Sequence, residues 1–352
     1  MDQSKATDYQ LPSKHIPAPI LRQLQVNTID GDPDSGISIP ENHYLPTRSI
    51  SIFGGQLIGQ AILVAHATVS EELSIHSFHG SFIDRTDPAS PIVYRVNRLR
   101  TGNTVASRIV HAFQHNKLVF MATMSFHRIE KHPSIKHTRS IPVDFPKIDL
   151  MKPVKRSDYY KMITTDGLKH NDEILLAAME AKHLISKPNT ISSDVLKLES
   201  FLRDAPTLPI AGIGKASDII QKSVHWERLA NLAASSSMDT KVIWQYLRIN
   251  GVLPKPPKYG AAAFGMASDA FSSQLPAVLL PHTDLDWITS LDHVMYFHRP
   301  FDPTKWLAVE NTVSVADGGR SVIEMRYWNE DGELAATVLQ EGMFRRKPRS
   351  KL

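Results

Sequence analysis

The chain runs to 352 residues, more than one compact core usually serves, and its 42% apolar content is too high for a disordered protein. Lys and Arg number 40 against 36 Asp and Glu, and this net charge of +4 falls far short of a nucleic-acid-binding protein's concentrated positive charge. No cysteine is present, which excludes disulfides, thiolate zinc sites, iron–sulfur clusters and every cysteine-nucleophile mechanism.

The chain opens Met1-Asp2-Gln3-Ser4-Lys5, without the apolar stretch of a secretory signal, and nowhere does an apolar run reach the roughly 18 residues of a membrane span. The first strong pattern is 53–65, Phe53-Gly54-Gly55-Gln56-Leu57-Ile58-Gly59-Gln60-Ala61 and onward, apolar nearly all round and rich in small residues. It predicts a buried helix around which a sheet wraps closely. Strand-like runs follow at 77–82, 92–96, 105–114 and 118–126, with turns at Gly102-Asn103 and Asn116-Lys117. Val105, Ser107, Ile109, His111 and Phe113 share one face of a strand, the period of a half-buried sheet.

Beyond residue 130 the composition changes. Residues 131–156 hold seven Lys and Arg and four prolines, a stretch that buries little and reads as a connector. A short amphipathic helix is predicted at 172–185, entered through Asn171 and stopped before Pro188. Three segments result: a dense block at 1–130, a connector or insertion at 131–214, and a second dense block at 215–352.

The second block repeats the first. A small-residue helical run at 261–271 precedes strand-like runs at 306–315, 321–328 and 334–343, with turns at Gly318-Gly319 and Asp331-Gly332. Phe78-His79-Gly80-Ser81-Phe82 has its counterpart in Phe297-His298-Arg299-Pro300-Phe301. The architecture implied is α+β: a curled antiparallel sheet wrapped around one central helix, given twice. The chain closes with Arg345, Arg346, Lys347 and Arg349 before Ser350-Lys351-Leu352, a tripeptide that at a C-terminus is an address read by the peroxisomal import receptor.

Little of the usual chemistry is on offer. No G-x-S-x-G nucleophile elbow occurs, and Gly212-Ile213-Gly214-Lys215 lacks the spacing of a nucleotide loop. His76 and His79 stand three apart in a strand, an expected placement on opposite faces that disfavours a metal pair. Asp269 follows a run of Ala, Gly, Phe and Met, where an unpaired charge is costly to bury. It or Ser268 alternatively caps a following turn. Ser290, at the expected start of a strand, is on pattern alone an ordinary hydroxyl. Gln340 interrupts the apolar run 335–339 and faces either solvent or a site.

Taken together, several segments in order resemble the acyl-CoA thioesterase II family, whose fold is a double hotdog. They are Phe53 to Ala61, His76-Ser77-Phe78-His79, Leu99-Arg100-Thr101-Gly102-Asn103-Thr104, Ala267-Ser268-Asp269, Leu291-Asp292-His293 through Phe301, and Gln340-Glu341-Gly342. The likeness covers both dense blocks and fails over about 131–215, which looks like an insertion. It implies a catalytic trio of an aspartate, a threonine or serine, and a glutamine, which falls on Asp269, Ser290 and Gln340, all in the second block. The first block has Gly54-Gly55-Gln56 where an aspartate would sit. The resemblance further implies hydrolysis of acyl-CoA by an activated water, no cofactor, no metal and a homodimer. With the C-terminal tripeptide it implies a peroxisomal matrix enzyme. Arg98, Arg100 and Arg299 are candidate partners for CoA phosphates, though each fits a surface charge better. Two other readings remain: an enoyl-CoA hydratase-like hotdog enzyme, against which stands the lack of a histidine in Asp269's helix, and a non-catalytic acyl-CoA-binding module, for which the trio would be unnecessary.

Overall fold

A computed structural model describes residues 18–29, 31–46, 49–142, 208–211, 220–224, 242–254, 258–270 and 285–346. The helix read at 172–185, the glycine run at 212–215 and the terminal tripeptide lie outside them.

Each half is built as the periodicity demands. In the first, a short helix α1 (Ile20–Leu24) and strands β1 (Val26–Ile29) and β2 (Asp32–Ser38) lead to a long helix α2 (Gly54–His66). Strands β3 (Leu73–Phe82), β4 (Val93–Thr101), β5 (Val105–Gln114) and β6 (Lys117–Arg128) follow. Chain pairing resumes with β7 (Leu208–Ala211), β8 (Ile220–Val224) and β9 (Val242–Ile249), then α3 (Lys258–Ser268) and strands β10 (Leu285–Ser290), β11 (Asp292–Phe297), β12 (Leu307–Asp317), β13 (Arg320–Trp328) and β14 (Leu334–Arg346).

Strict alternation makes β5 a half-buried strand. Ala106, Arg108, Val110, Ala112 and Gln114 face inward, so the set Val105 to Phe113 shares the outer, more open face. Small residues at positions 106 and 112 leave room for α2. Arg108 is fully buried; it donates to the Thr68 hydroxyl and carbonyl just beyond α2 at 2.6 and 2.8 Å and to the Arg100 and Ser107 carbonyls. A cation just past the carboxyl end of a helix is favourably placed. His115 and Asn116, both at positive φ, make the two-residue turn from β5 to β6, and Gly318-Gly319 make the matching one from β12 to β13.

All the strands join one antiparallel sheet, in the order β1-β2-β4-β5-β6-β3-β11-β14-β13-β12-β9-β8-β7, with β10 added to β14. The two halves meet where β3 pairs with β11, from Asp292 opposite Ser81 to Tyr296 opposite Ser77. This is the double hotdog expected from the sequence, with α2 and α3 enclosed.

The glycines of the helices serve a different contact from the one expected. They face the other helix more than the sheet. A Cβ on Gly55 would overlap the Met266 carbonyl oxygen, one on Gly59 would lie 2.8 Å from the Ala262 carbonyl, and one on Gly265 would lie 2.8 Å from Ile62. Advancing four residues along α2 retreats four along α3, so the helices run antiparallel at near backbone contact. The amino end of α2 therefore lies beside the carboxyl end of α3. That juxtaposition positions everything below.

Candidate active site

Asp269 is the first residue past α3, buried to 6% exposure rather than embedded within the helix. An acid at a helix carboxyl end opposes the macrodipole. The amino end of α2 compensates, because a Cβ on Gly54 would lie 2.9 Å from Asp269 Oδ2 and 2.8 Å from the Phe82 ring. Only a glycine lets the first turn of α2 approach the carboxylate this closely.

Ser290 ends β10 rather than starting a strand. The chain breaks at Leu291, whose N–H donates to the Glu341 carbonyl at 2.8 Å, and β11 then continues along the same neighbour, β14. Ser290 pairs with Gly342, and Val294 with Leu339. Gln340 thus lies where β14 passes from one partner strand to the next. Its face carries Ala336 and Val338, and the amide is fully buried. Of the two placements open from pattern, solvent is excluded, and the amide is turned inward.

The three side chains converge. Gln340 Nε2 donates to Asp269 Oδ1 at 2.8 Å and to Ser290 Oγ at 2.5 Å. Behind it, His293 Nδ1 lies 3.1 Å from Gln340 Oε1, and His293 Nε2 lies 2.9 Å from the Ser268 hydroxyl. Both residues are fully buried. Burial holds the His293 pKa below the usual imidazole range, against smaller opposing effects of Asp269, Gln340 and Asp292. Its 4.0 Å approach to Asp269 Oδ1 is therefore not an ion pair at neutral pH. Tyr327 is buried nearby; burial, then the Asp269 charge, raises its pKa and keeps its hydroxyl neutral.

Sequence reasoning read Ser268 as no more than a candidate cap, and gave His293 and Gly54 no part in the site. A histidine in register with the buried Met295 of β11 was the available signal, but only strand register aims it at β14.

The remaining candidates lie elsewhere. An irregularity between Ile75 and Ser77 turns β3, so His76 and His79 are both exposed instead of facing opposite ways. They still make no metal cluster, nor does any group of His, Asp and Glu among the described residues. Arg98 pairs with Asp34 at 2.7 Å, and Arg299 with Glu333. No helix among the described residues is long and apolar enough to cross a membrane.

Comparison with known proteins follows the same two halves. Residues 43–127 match the model for the acyl-CoA thioesterase N-terminal domain, and residues 208–344 match that for the C-terminal domain. A rat protein named acyl-coenzyme A thioesterase 8 is 30% identical over 310 residues, covering 87% of this chain and 84% of its own. The chain belongs to the acyl-CoA thioesterase II family. It is accordingly a thioester hydrolase. A yeast relative of this family, named peroxisomal acyl-coenzyme A thioester hydrolase 1, is 24% identical over 84% of this chain and 86% of its own. Among solved structures, an acyl-CoA thioesterase II from Mycobacterium marinum superposes with a TM-score of 0.62 at 21% identity, covering 95% of this chain and 99% of its own.

Proposed function

We propose that the protein hydrolyses fatty acyl-CoA to free fatty acid and CoA, with Asp269 as general base and Ser290 and Gln340 fixing the attacking water. One observation carries this reading: a single buried amide, that of Gln340, holds the Asp269 carboxylate and the Ser290 hydroxyl together at 2.8 and 2.5 Å.

A thioester carbonyl is already electrophilic, so a positioned water suffices and no covalent nucleophile is needed. Both hydrogens of Gln340 Nε2 are directed, one at Asp269 and one at Ser290. Ser290 Oγ accepts there, so its own hydrogen points elsewhere, toward the water. Asp269 takes the water's proton as its oxygen bonds to the carbonyl carbon. The oxyanion that forms is met by backbone N–H groups in the first turn of α2, beside Gly54, where the helix dipole favours negative charge. Collapse breaks the C–S bond, and the proton held by Asp269 passes to the departing CoA sulfur. The carboxylate is then restored.

The assay is direct. Purified protein is offered saturated and enoyl-CoA series while free thiol and enoyl absorbance are followed. Because the chain has no cysteine, every thiol detected comes from CoA. Thiol release at catalytic rates is the expected result; enoyl loss without thiol would indicate hydration, and neither signal would indicate binding alone. Ser290→Ala is expected to lower kcat roughly 10- to 100-fold, the value of one hydrogen bond to a reacting group.

We further propose that it acts in the peroxisomal matrix as a homodimer. The name of the yeast relative and the tripeptide Ser350-Lys351-Leu352 support the location, and the family resemblance supports the dimer. A fluorescent fusion carried on the N-terminus should enter peroxisomes, and removal of the three residues should leave it in the cytosol. Light scattering reads the subunit count.

A further inference from the structure

We propose that His293 is a positioning residue, holding the Gln340 amide in the one orientation that serves both Asp269 and Ser290. The inference deepens the trio reading above and rests on it.

The reasoning is one of hydrogen-bond direction. The Gln340 side chain is an amide whose two ends differ only in being donor or acceptor. Turned end for end, it would set Oε1 against Asp269 Oδ1 at 2.8 Å, two acceptors in contact, and the Ser290 hydroxyl would be drawn back to Gln340. In the productive orientation Oε1 instead faces His293 Nδ1 at 3.1 Å. That contact binds only if Nδ1 carries the hydrogen. A neutral imidazole has one N–H, so Nε2 must then accept. The group at Nε2 is the Ser268 hydroxyl, 2.9 Å away, which donates there by turning its one hydrogen from the Gly265 carbonyl at 3.0 Å. With Gln340 so oriented, the chain runs from Ser268 to His293, from His293 to Gln340, and from Gln340 to Asp269 and Ser290. The opposite tautomer would reverse the first two links and present a lone pair to Oε1, favouring the unproductive amide.

His293 touches no reacting atom in this scheme. Its burial and its polar contacts would equally suit a mere core residue, so the test must separate the two. An Asn at 293 presents its amide N–H near the place of Nδ1, whereas a Gln presents its own near the place of Nε2. Both are polar and of similar bulk, and both variants are compared with Gln340→Ala for kcat, KM and thermal midpoint. His293→Gln is expected to lose on the order of 100-fold in kcat with KM within about twofold, the cost of a misplaced catalytic group. His293→Asn is expected to keep kcat within about tenfold of the parent. Equal kcat for the Asn and Gln variants would overturn the inference, whichever level they share. Should Gln340→Ala lose kcat while His293→Gln does not, the trio stands and the positioning role alone fails. Should Gln340→Ala itself retain full kcat, both fail.

Discussion

Asp269→Asn is expected to lower kcat by about 10²–10⁴-fold, the range of a positioned general base, while the fold is kept. The substitution is nearly isosteric. An Asn oxygen at the Oδ1 position still accepts from Gln340 Nε2, so the 2.8 Å link that orders the site survives. What is lost is the ability to accept a proton from water. The expected effect on stability is small for a reason visible in the helices. The carboxyl end of α3 repels the charge of Asp269 and the amino end of α2 attracts it, so removing the charge deletes two opposed effects, each about 0.3–1 kcal/mol. A thermal midpoint within a few degrees of the parent should therefore accompany the kinetic collapse. Residual turnover above a tenth of the parent in a folded variant would assign the base elsewhere. A large fall in midpoint would instead make Asp269 a structural residue.

Local pattern carried most of the fold. The alternation of β5 and the Gly318-Gly319 turn are properties of a few adjacent residues and appear in the sequence as they do in the sheet. The asparagine turn, by contrast, falls one residue earlier, at His115-Asn116, and Asp331-Gly332 lies in a longer loop between Trp328 and Leu334. The helix at α2 differs by a single residue at each end from the run read as helical. The site is another matter, because it exists only through pairings distant in sequence. Nothing near Gln340 tells whether the amide faces solvent. Its burial follows from β14 presenting Ala336, Val338 and Gln340 to one side, and from its neighbours changing from β11 to β10 at that point. Ser290 was misplaced within its strand because no turn residue marks the break at Leu291; the chain bends there to stay on β14. The trio itself came from family resemblance, not from pattern. Even that gave Gly54 no part beside Asp269, since a glycine at the start of a helix looks like any other small residue until a second helix brings Asp269 against it.

The same closeness predicts the largest stability effect, at Gly55. Gly55→Ala is expected to destabilise by about 1–3 kcal/mol, as overpacked cores do. An added Cβ would overlap the Met266 carbonyl oxygen and come within 2.6 and 2.8 Å of the Phe53 ring. A phenyl ring can turn aside. A backbone carbonyl in the last turn of α3 cannot, so the helices must part. Alanine's intrinsic advantage over glycine in a helix, about 1 kcal/mol, works the other way but is smaller than the strain. Gly260→Ala supplies the control in the partner helix. There, among the described residues, the new Cβ meets only Pro303 side-chain carbons at 3.6 and 3.9 Å, ordinary contact, and the helix preference acts unopposed. That variant is expected to raise stability by about 0.4–1 kcal/mol. Opposite shifts in urea midpoint for one substitution in two helices are the signature of backbone-close packing; equal shifts would refute it. Parting the helices also carries Gly54 away from Asp269. Gly55→Ala should therefore lose activity at temperatures where it remains folded, and Gly260→Ala should not.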